Sequence, residues 1–308
     1  MYDLYRISRH LRLIFDHLQI MGEDIAGTVV EIGSAVTTLK RGDRVAAIAL
    51  HMVTKNPANA GFQLYTVLPA SIPSRIPDYV SFTDAVVLPL GLTTAASALF
   101  SPEYMGIDPP SASEPASISR KHKAILIWGG SSSVGSCAIQ LCAAAGLTVL
   151  TTVSPQNFEY AKAIGATEAF DYSESTIVEK LAKAAHGKEV IGAYDAIASK
   201  ASLAACVDFL HAVGGGRLSH TLAFPENLDT PDGVVIVAGQ PSLKGRDGGK
   251  PVWRQVWMDF MDVGLQNGKL QAKPDAYVLE GGLARLDEGI DLVRKGVSAK
   301  KVVIELVK

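Results

Sequence analysis

The sequence predicts an α/β protein, a doubly wound parallel sheet preceded by small-barrel or meander β-structure. Three observations carry this. From about residue 124, strand-like and helix-like segments alternate: "AILIWGG", "SVGSCAIQLCAAAG", "LTVLTTV", "NFEYAKAIGA". The strands are apolar almost throughout, the pattern of a parallel sheet covered on both faces. Before residue 77, by contrast, β-branched segments are interrupted by Gly and Pro turns.

Taken in order, residues 27–50 read as a strand, a turn at Gly33-Ser34, a second turn at Arg41-Gly42-Asp43 and an apolar strand. Residues 62–77 continue in the same β-rich style. At residue 81 the texture changes: Ser81 followed by Asp84 resembles a capping box ahead of a helix, which Pro89 would end or kink. Residues 101–123 hold four prolines and five serines with no apolar period, and read as a surface loop. The strand–helix alternation then runs through "EAFDY", "AYDAIAS", "GRLSHTLAF" and "GVVIVAG". A helix, "GGLARLDEGIDLVRKG", and a strand, "KKVVIELV", close the chain.

Composition narrows the function. The 308 residues carry a formal charge of −2, and the densest basic patch, Arg120-Lys121-His122-Lys123, is short. No nucleic-acid footprint is expected, and a small molecule is the expected partner. Cys137, Cys142 and Cys206 show no CxxC spacing, which fits a reducing compartment. No uninterrupted apolar run approaches the roughly 20 residues of a membrane span. Arg6, Arg9 and Arg12 give the first residues a faint presequence character, which Asp3 and Asp16 oppose. A cytoplasmic protein with no membrane partner is the expectation.

Residues 130–135 read Gly-Ser-Ser-Ser-Val-Gly, a dinucleotide fingerprint GxGxxG with Ser132 at the middle position. The first glycine, Gly130, allows the tight turn, and Gly135 lets helix and strand pack closely. The helix start presents unpaired N–H groups and partial positive charge to a pyrophosphate. The strand–turn–helix context makes the motif specific. An NAD site would place Asp or Glu at the end of the second strand, about 20 residues on. Here that end reads "TTVSPQNF", with no acid before Glu159. Ser154, Gln156 and Asn157 can donate to a 2′-phosphate, so NADPH is the expected cofactor, although no arginine marks the site. Asp171-Tyr172 closes the third strand, and Asp195 ends another, where it reads as a turn cap.

Four motifs in order, "GEDIAGTVVEIGSAVTTLKRGDRV", "VVLPLGLTTAA", "GGSSSVG" and "SPQNFEYAKAIGATEAFDY", resemble the medium-chain dehydrogenase/reductase superfamily. More narrowly, they resemble fungal zinc-independent enoyl reductases and ToxD-like oxidoreductases. The resemblance implies a partial GroES-like β-barrel catalytic domain over residues 1–115. It further implies a Rossmann NADP-binding domain over 116–259 and a return to the catalytic domain over 260–308. Carried onto this chain, Ser131, Ser132, Ser133 and Val134 would line the pyrophosphate. Ser154 and Asn157 would meet the 2′-phosphate, and Tyr172 the adenosine. Thr94 would lie by the nicotinamide and the substrate carbonyl. Ala238 and Gly239 would flank the nicotinamide, and Val297 and Ser298 would close over the cofactor.

Zinc-dependent relatives use a cysteine, a Gly-His-Glu histidine and a second Cys or Asp, with a four-cysteine lobe besides. Here Glu23 stands where that histidine would be, and no cysteine precedes Cys137, so no metal site is expected. His51 reads as a loop histidine. Relatives carry several dozen more residues before the Gly-Glu-Asp motif; the roughly 20 residues here look unrelated, as in an N-terminally truncated member.

The implied activity is NADPH-dependent reduction of an activated C=C bond in an enoyl thioester or enone, within secondary metabolism. The sequence offers no general acid, leaving water as the expected proton source. The substrate would be a small molecule or carrier-bound, with a polyketide synthase as partner and the chain a monomer or homodimer. Quinone or carbonyl reduction uses the same parts, and a catalytically inactive NADPH-binding protein would look alike.

Overall fold

In the computed structural model, residues 20–114, 120–222, 230–238 and 251–306 are described. The chain divides into two compact units: the residues up to Leu90 with those from Ala272 on, and Gly91–Gln271.

In the first unit β1 (Asp24–Thr28) pairs antiparallel with β2 (Arg44–Ile48), and β3 (Ser74–Arg75) extends the sheet beyond β2. The connection between β1 and β2 turns twice, as expected. At the first turn Val36 donates its N–H to Gly33 O (3.0 Å). At the second, Gly42 has φ 92°, a conformation that glycine adopts without strain. Residues 62–73, expected as strand, are bends, turns and irregular chain instead. Side chains hold them there: Gln63 and Thr66 both donate to Ala60 O. α1 (His51–Thr54) follows β2. α2 (Phe82–Ala85) starts at its predicted cap, where Ser81 Oγ accepts the Asp84 N–H at 3.0 Å.

Pro89 does more than end that helix. After a break at 86–88 it opens α3 (Pro89–Phe100), whose first turn needs no N–H from it. The stretch Phe82–Phe100 is apolar and long enough by composition to cross a membrane, yet 72% of it is buried inside the protein. It is core.

The second unit is built on six parallel strands. These are β4 (Lys123–Trp128), β5 (Thr148–Val153), β6 (Glu168–Asp171), β7 (Glu189–Asp195), β8 (Gly216–His220) and β9 (Val234–Ala238). Their order is β6-β5-β4-β7-β8-β9, the doubly wound arrangement whose strand order reverses at β4 and β7 while every strand stays parallel. α4 (Ser133–Ala144), α5 (Phe158–Ala163), α6 (Ile177–Ala185) and α7 (Lys200–Ala212) are the crossovers. Leu126 and Trp128 of β4 share a core with Leu181 of α6 and Leu203, Phe209 and Leu210 of α7. Alternation turns the fully buried Ile125 and Ile127 to the other face, where α4 packs. Each such side chain contributes roughly 1.5–3 kcal/mol by leaving water.

Both unit edges differ from the 115/116 and 259/260 boundaries expected from the sequence, for packing reasons. Gly91 lies against α4: a Cβ there would stand 3.0 Å from Ser133 Oγ and 3.2 Å from Cys137 Sγ. Farther along that segment, the Arg217 guanidinium reaches Tyr104 O. At the other edge, α8 begins at Val252, passes through a π-turn over Val256–Phe260 and ends at Asn267. Gln271 then donates its N–H to Gln140 Oε1 of α4 at 2.7 Å. The chain returns to the first unit with β10 (Asp275–Glu280), α9 (Leu286–Lys295) and β11 (Lys300–Glu305), β10 and β11 pairing parallel.

Candidate functional site

The turn after β4 is shaped by three glycines, one more than the fingerprint identified. Gly129 carries the positive φ, 79°, so the tight turn assigned to Gly130 belongs to Gly129. Two adjacent glycines left that register open in the sequence. Gly130 is required for a different reason: a Cβ there would lie 2.2 Å from Thr151 Oγ1 and 2.6 Å from Ile139 Cδ1. At Gly135 a Cβ would stand 2.2 Å from Gly129 O, so helix and turn touch backbone to backbone. Gly129 and Gly130 both donate N–H to Thr152 O, at 3.1 and 3.0 Å.

Ser132 is the cap of α4, and its Oγ accepts the Gly135 N–H at 3.0 Å. Within the helix, Ser136 N–H bonds back to Ser132 O (2.8 Å). The N–H groups of Ser133 and Val134 are the first two of the helix and have no intrahelical acceptor. They carry the positive end of the helix dipole. Ser131 to Val134 are half-buried, and Ser133 Oγ is buried without a hydrogen-bond partner among the described residues. A turn packed too closely for any Cβ at Gly130 or Gly135, followed by the unsatisfied N–H groups of a helix start, is a cradle that fits a phosphate. Behind it Ser136 Oγ donates to Gly130 O (3.0 Å) and bonds the Tyr160 hydroxyl (2.8 Å), a support that the motif does not encode.

At the neighbouring strand ends, Ser154 Oγ and Tyr172 OH lie 3.3 Å apart, joining the ends of β5 and β6. Asn157 is buried, three residues beyond Ser154, and donates its N–H to Ser154 O at 2.8 Å. The sequence-selected Ser154, Asn157 and Tyr172 therefore form one cluster. Asp171, beside them, accepts from Ser173 N–H and Oγ, which hold its carboxyl below the ordinary range.

Asp195, fully buried at the end of β7, is the turn cap that the sequence suggested. Its Oδ1 accepts the N–H groups of Ile197 (2.9 Å) and Ala198 (3.0 Å), and its Oδ2 accepts from Ser202 Oγ (2.6 Å). Burial raises its carboxyl and lowers the imidazole of neighbouring His220. The capped turn brings Ile197 over the cradle, where a Cβ on Gly129 would meet Ile197 Cγ1 at 2.4 Å. Ile197 and His220 escaped sequence reasoning, because burial at a strand end leaves no motif.

Thr94 lies on α3 in the same unit, 8% exposed. Ala238 ends β9 opposite His220, and Gly239 lies outside the described residues. Val297 and Ser298 belong to the first unit, between α9 and β11. Among the described residues, no group of three or more His, Cys, Asp or Glu side chains could hold a metal ion.

The first unit has its own polar cluster. Asp24 Oδ1 accepts the Leu90 N–H (2.7 Å), and its Oδ2 pairs with Lys301 Nζ (2.6 Å), which also donates to Val87 O (3.1 Å). Beside it Glu23 is half-buried and accepts no side-chain hydrogen bond from the described residues. Burial first, and the adjacent Asp24 charge second, push its carboxyl up to about 7, with Lys301 opposing. His51 is a buried helix residue, 5% exposed, where the sequence suggested a loop. Its Nδ1 has no partner among the described residues, and burial lowers its pKa.

Residues 133–262 match the family described as zinc-binding dehydrogenase, and residues 3–78 match the alcohol dehydrogenase GroES-like domain. The second match takes in most of the stretch before Gly22 that looked unrelated. The chain is 40% identical over 293 residues to the trans-enoyl reductase himH of Aspergillus japonicus, covering 93% of this chain and 81% of that protein. It is 31% identical over 303 residues to lovC of Aspergillus terreus, the enoyl reductase component of lovastatin nonaketide synthase, with 93% and 81% covered. The crystal structure of CurK enoyl reductase superposes with a TM-score of 0.69 at 17% identity over 98% of this chain and 83% of that one, a likeness of fold.

Proposed function

This chain belongs to the medium-chain dehydrogenase/reductase superfamily, and from that premise we propose that it is an NADPH-dependent, zinc-independent enoyl reductase. Its substrate class is the activated C=C bond of an enoyl thioester or enone, in secondary metabolism. The observation that carries the reaction type is the 40% identity to a trans-enoyl reductase along nearly the whole chain. The lovC likeness supports a carrier-bound substrate and a polyketide synthase as partner.

The cofactor assignment rests on the cradle. The Ser133 and Val134 N–H groups, with Ser131 and Ser132, would hold the pyrophosphate. Ser154 and Asn157 would donate to the 2′-phosphate, with no carboxylate following β5 before Glu159, and Tyr172 would flank the adenosine. Bound there, NADPH would supply hydride to the substrate β-carbon. Ala238 and Gly239 would orient the nicotinamide end, and Val297 and Ser298 would exclude water from it. Thr94 would donate a hydrogen bond to the carbonyl oxygen, where negative charge grows as the enolate forms.

Titration of the 308-residue chain with NADPH and NADH, followed by nicotinamide fluorescence and then by an enoyl thioester, tests the reading. Tighter NADPH binding with oxidation on adding the thioester is expected. No binding overturns the cofactor site. Binding without oxidation marks an inactive nucleotide-binding protein, and oxidation by a quinone alone marks a quinone reductase.

A further inference from the structure

Behind the turn that follows β4, one relay of hydrogen bonds has a fixed direction. Ser136, fully buried on α4, places its Oγ 3.0 Å from Gly130 O and 2.8 Å from the Tyr160 hydroxyl. A carbonyl only accepts, so the Ser136 hydrogen goes to Gly130 O. The Tyr160 hydroxyl is then the donor to Ser136 Oγ, and the relay runs from Tyr160 through Ser136 to Gly130 O. Fixing that oxygen fixes a second group. The Gly130–Ser131 peptide is trans, and in a planar trans peptide the C=O and N–H point in opposite directions. With the carbonyl drawn to the buried Ser136 hydroxyl, the Ser131 N–H is turned away from it. Ser131 is half-buried, and its N–H has no acceptor among the described residues.

We propose that Tyr160 is a positioning residue of the cofactor site, aiming the Ser131 N–H at the pyrophosphate through Ser136. The inference rests on the NADPH reading above. Without the relay, Gly130 O is a buried acceptor with no donor among the described residues, and its peptide gains by tilting toward a new one. The peptide moves as a rigid plane, so any tilt swings the Ser131 N–H through the same angle. The Ser133 and Val134 N–H groups are held by α4 itself and keep their direction. Tyr160 lies on α5, one turn beyond its cap Asn157. The helix that starts at the proposed 2′-phosphate turn thus also holds the pyrophosphate turn.

Two variants and two readouts test this. Tyr160→Phe removes one hydroxyl and leaves the ring, and Ser136→Ala removes the relay outright. In fluorescence titrations, NADPH affinity should fall roughly threefold to tenfold in Y160F and at least as far in S136A. In amide NMR spectra, the wild-type Ser131 proton should move downfield as NADPH saturates the chain. At saturation that shift should be smaller in Y160F and smaller still in S136A; Y160F carries the test alone if S136A does not fold. A shift read at saturation is independent of affinity, so it separates lost aim from a general loosening of the fold. Wild-type affinity in Y160F overturns the proposal, as does weakened affinity with the full Ser131 shift retained. A wild-type Ser131 proton that NADPH leaves unmoved overturns it too. In these three cases NADPH still binds and the cofactor reading stands. A wild-type chain that binds no NADPH overturns both.

Discussion

At the scale of single residues, the cradle is defined by what cannot be added to it. At Gly135 the obstacle to a Cβ is backbone: Gly129 O would be 2.2 Å away, and neither strand nor helix can yield without unseating the turn. Gly135→Ala should therefore weaken NADPH binding at least tenfold, about 1.4 kcal/mol, and lower the melting temperature, both measurable on the same preparation. At Gly129 the added atom would meet the flexible Ile197 side chain, and the strain comes chiefly from φ. Glu23 makes a second prediction at this scale, independent of turnover. Its folded pKa of about 7 lies above its ordinary 4.5. Its contribution to stability is therefore complete below about pH 4.5 and is lost as pH rises through about 7. The loss amounts to at most about 3 kcal/mol. E23Q lacks this loss, so its stability relative to wild type should climb by up to that amount between pH 4 and pH 8. Urea unfolding at a series of pH values reads it, and a constant difference would place Glu23 in water.

At the scale of elements, the ends of β5 and β6 act as one unit because Ser154 and Tyr172 bridge them. A carboxylate at position 154 would repel a 2′-phosphate and could accept from a ribose diol. Ser154→Asp should thus shift the NADPH-to-NADH affinity ratio at least tenfold toward NADH, read by paired fluorescence titrations. An unchanged ratio would remove Ser154 from the 2′-phosphate site. These two residues were legible in the sequence because position after a strand is itself the signal. The strands β4 to β9 were legible too, since burial on both faces leaves nearly continuous apolar runs such as Ile125-Leu126-Ile127. What depended on tertiary packing was not. Pro89 was seen as a stop but not as the opening of α3, and Gly91 gave no hint that it packs on Ser133. Residues 62–73 have strand composition, yet side-chain bonds to Ala60 O take the chain out of any ladder. His51 and Glu23 carry no periodic signal, and only the folded chain reveals which of them is sealed and which is open.

At the scale of the whole molecule, the residues proposed for the cofactor come from two units. Ser131 to Val134, Ser154, Asn157 and Tyr172 belong to Gly91–Gln271, and Val297 and Ser298 to the other unit. A ligand that binds only the native state stabilises what it touches, by about 2.7 kcal/mol at a hundredfold excess over its Kd. If NADPH engages the cradle alone, that gain is confined to elements that unfold with the cradle. If Val297 and Ser298 also close on it, opening of the first unit must break ligand contacts as well, and the gain spreads. Amide hydrogen exchange separates these cases, because it reports opening energies region by region. We expect NADPH to slow exchange at Ile125, Leu126 and Ile127 of β4, and also at Ala46, Ala47 and Ile48 of β2 and Val303 of β11. All of these are buried in the absence of ligand, so a change there reports linkage and not simple shielding by the cofactor. Protection that rises in β4 while β2 and β11 keep their rates would take Val297 and Ser298 out of the cofactor site. It would also confine nucleotide recognition to the parallel-sheet unit.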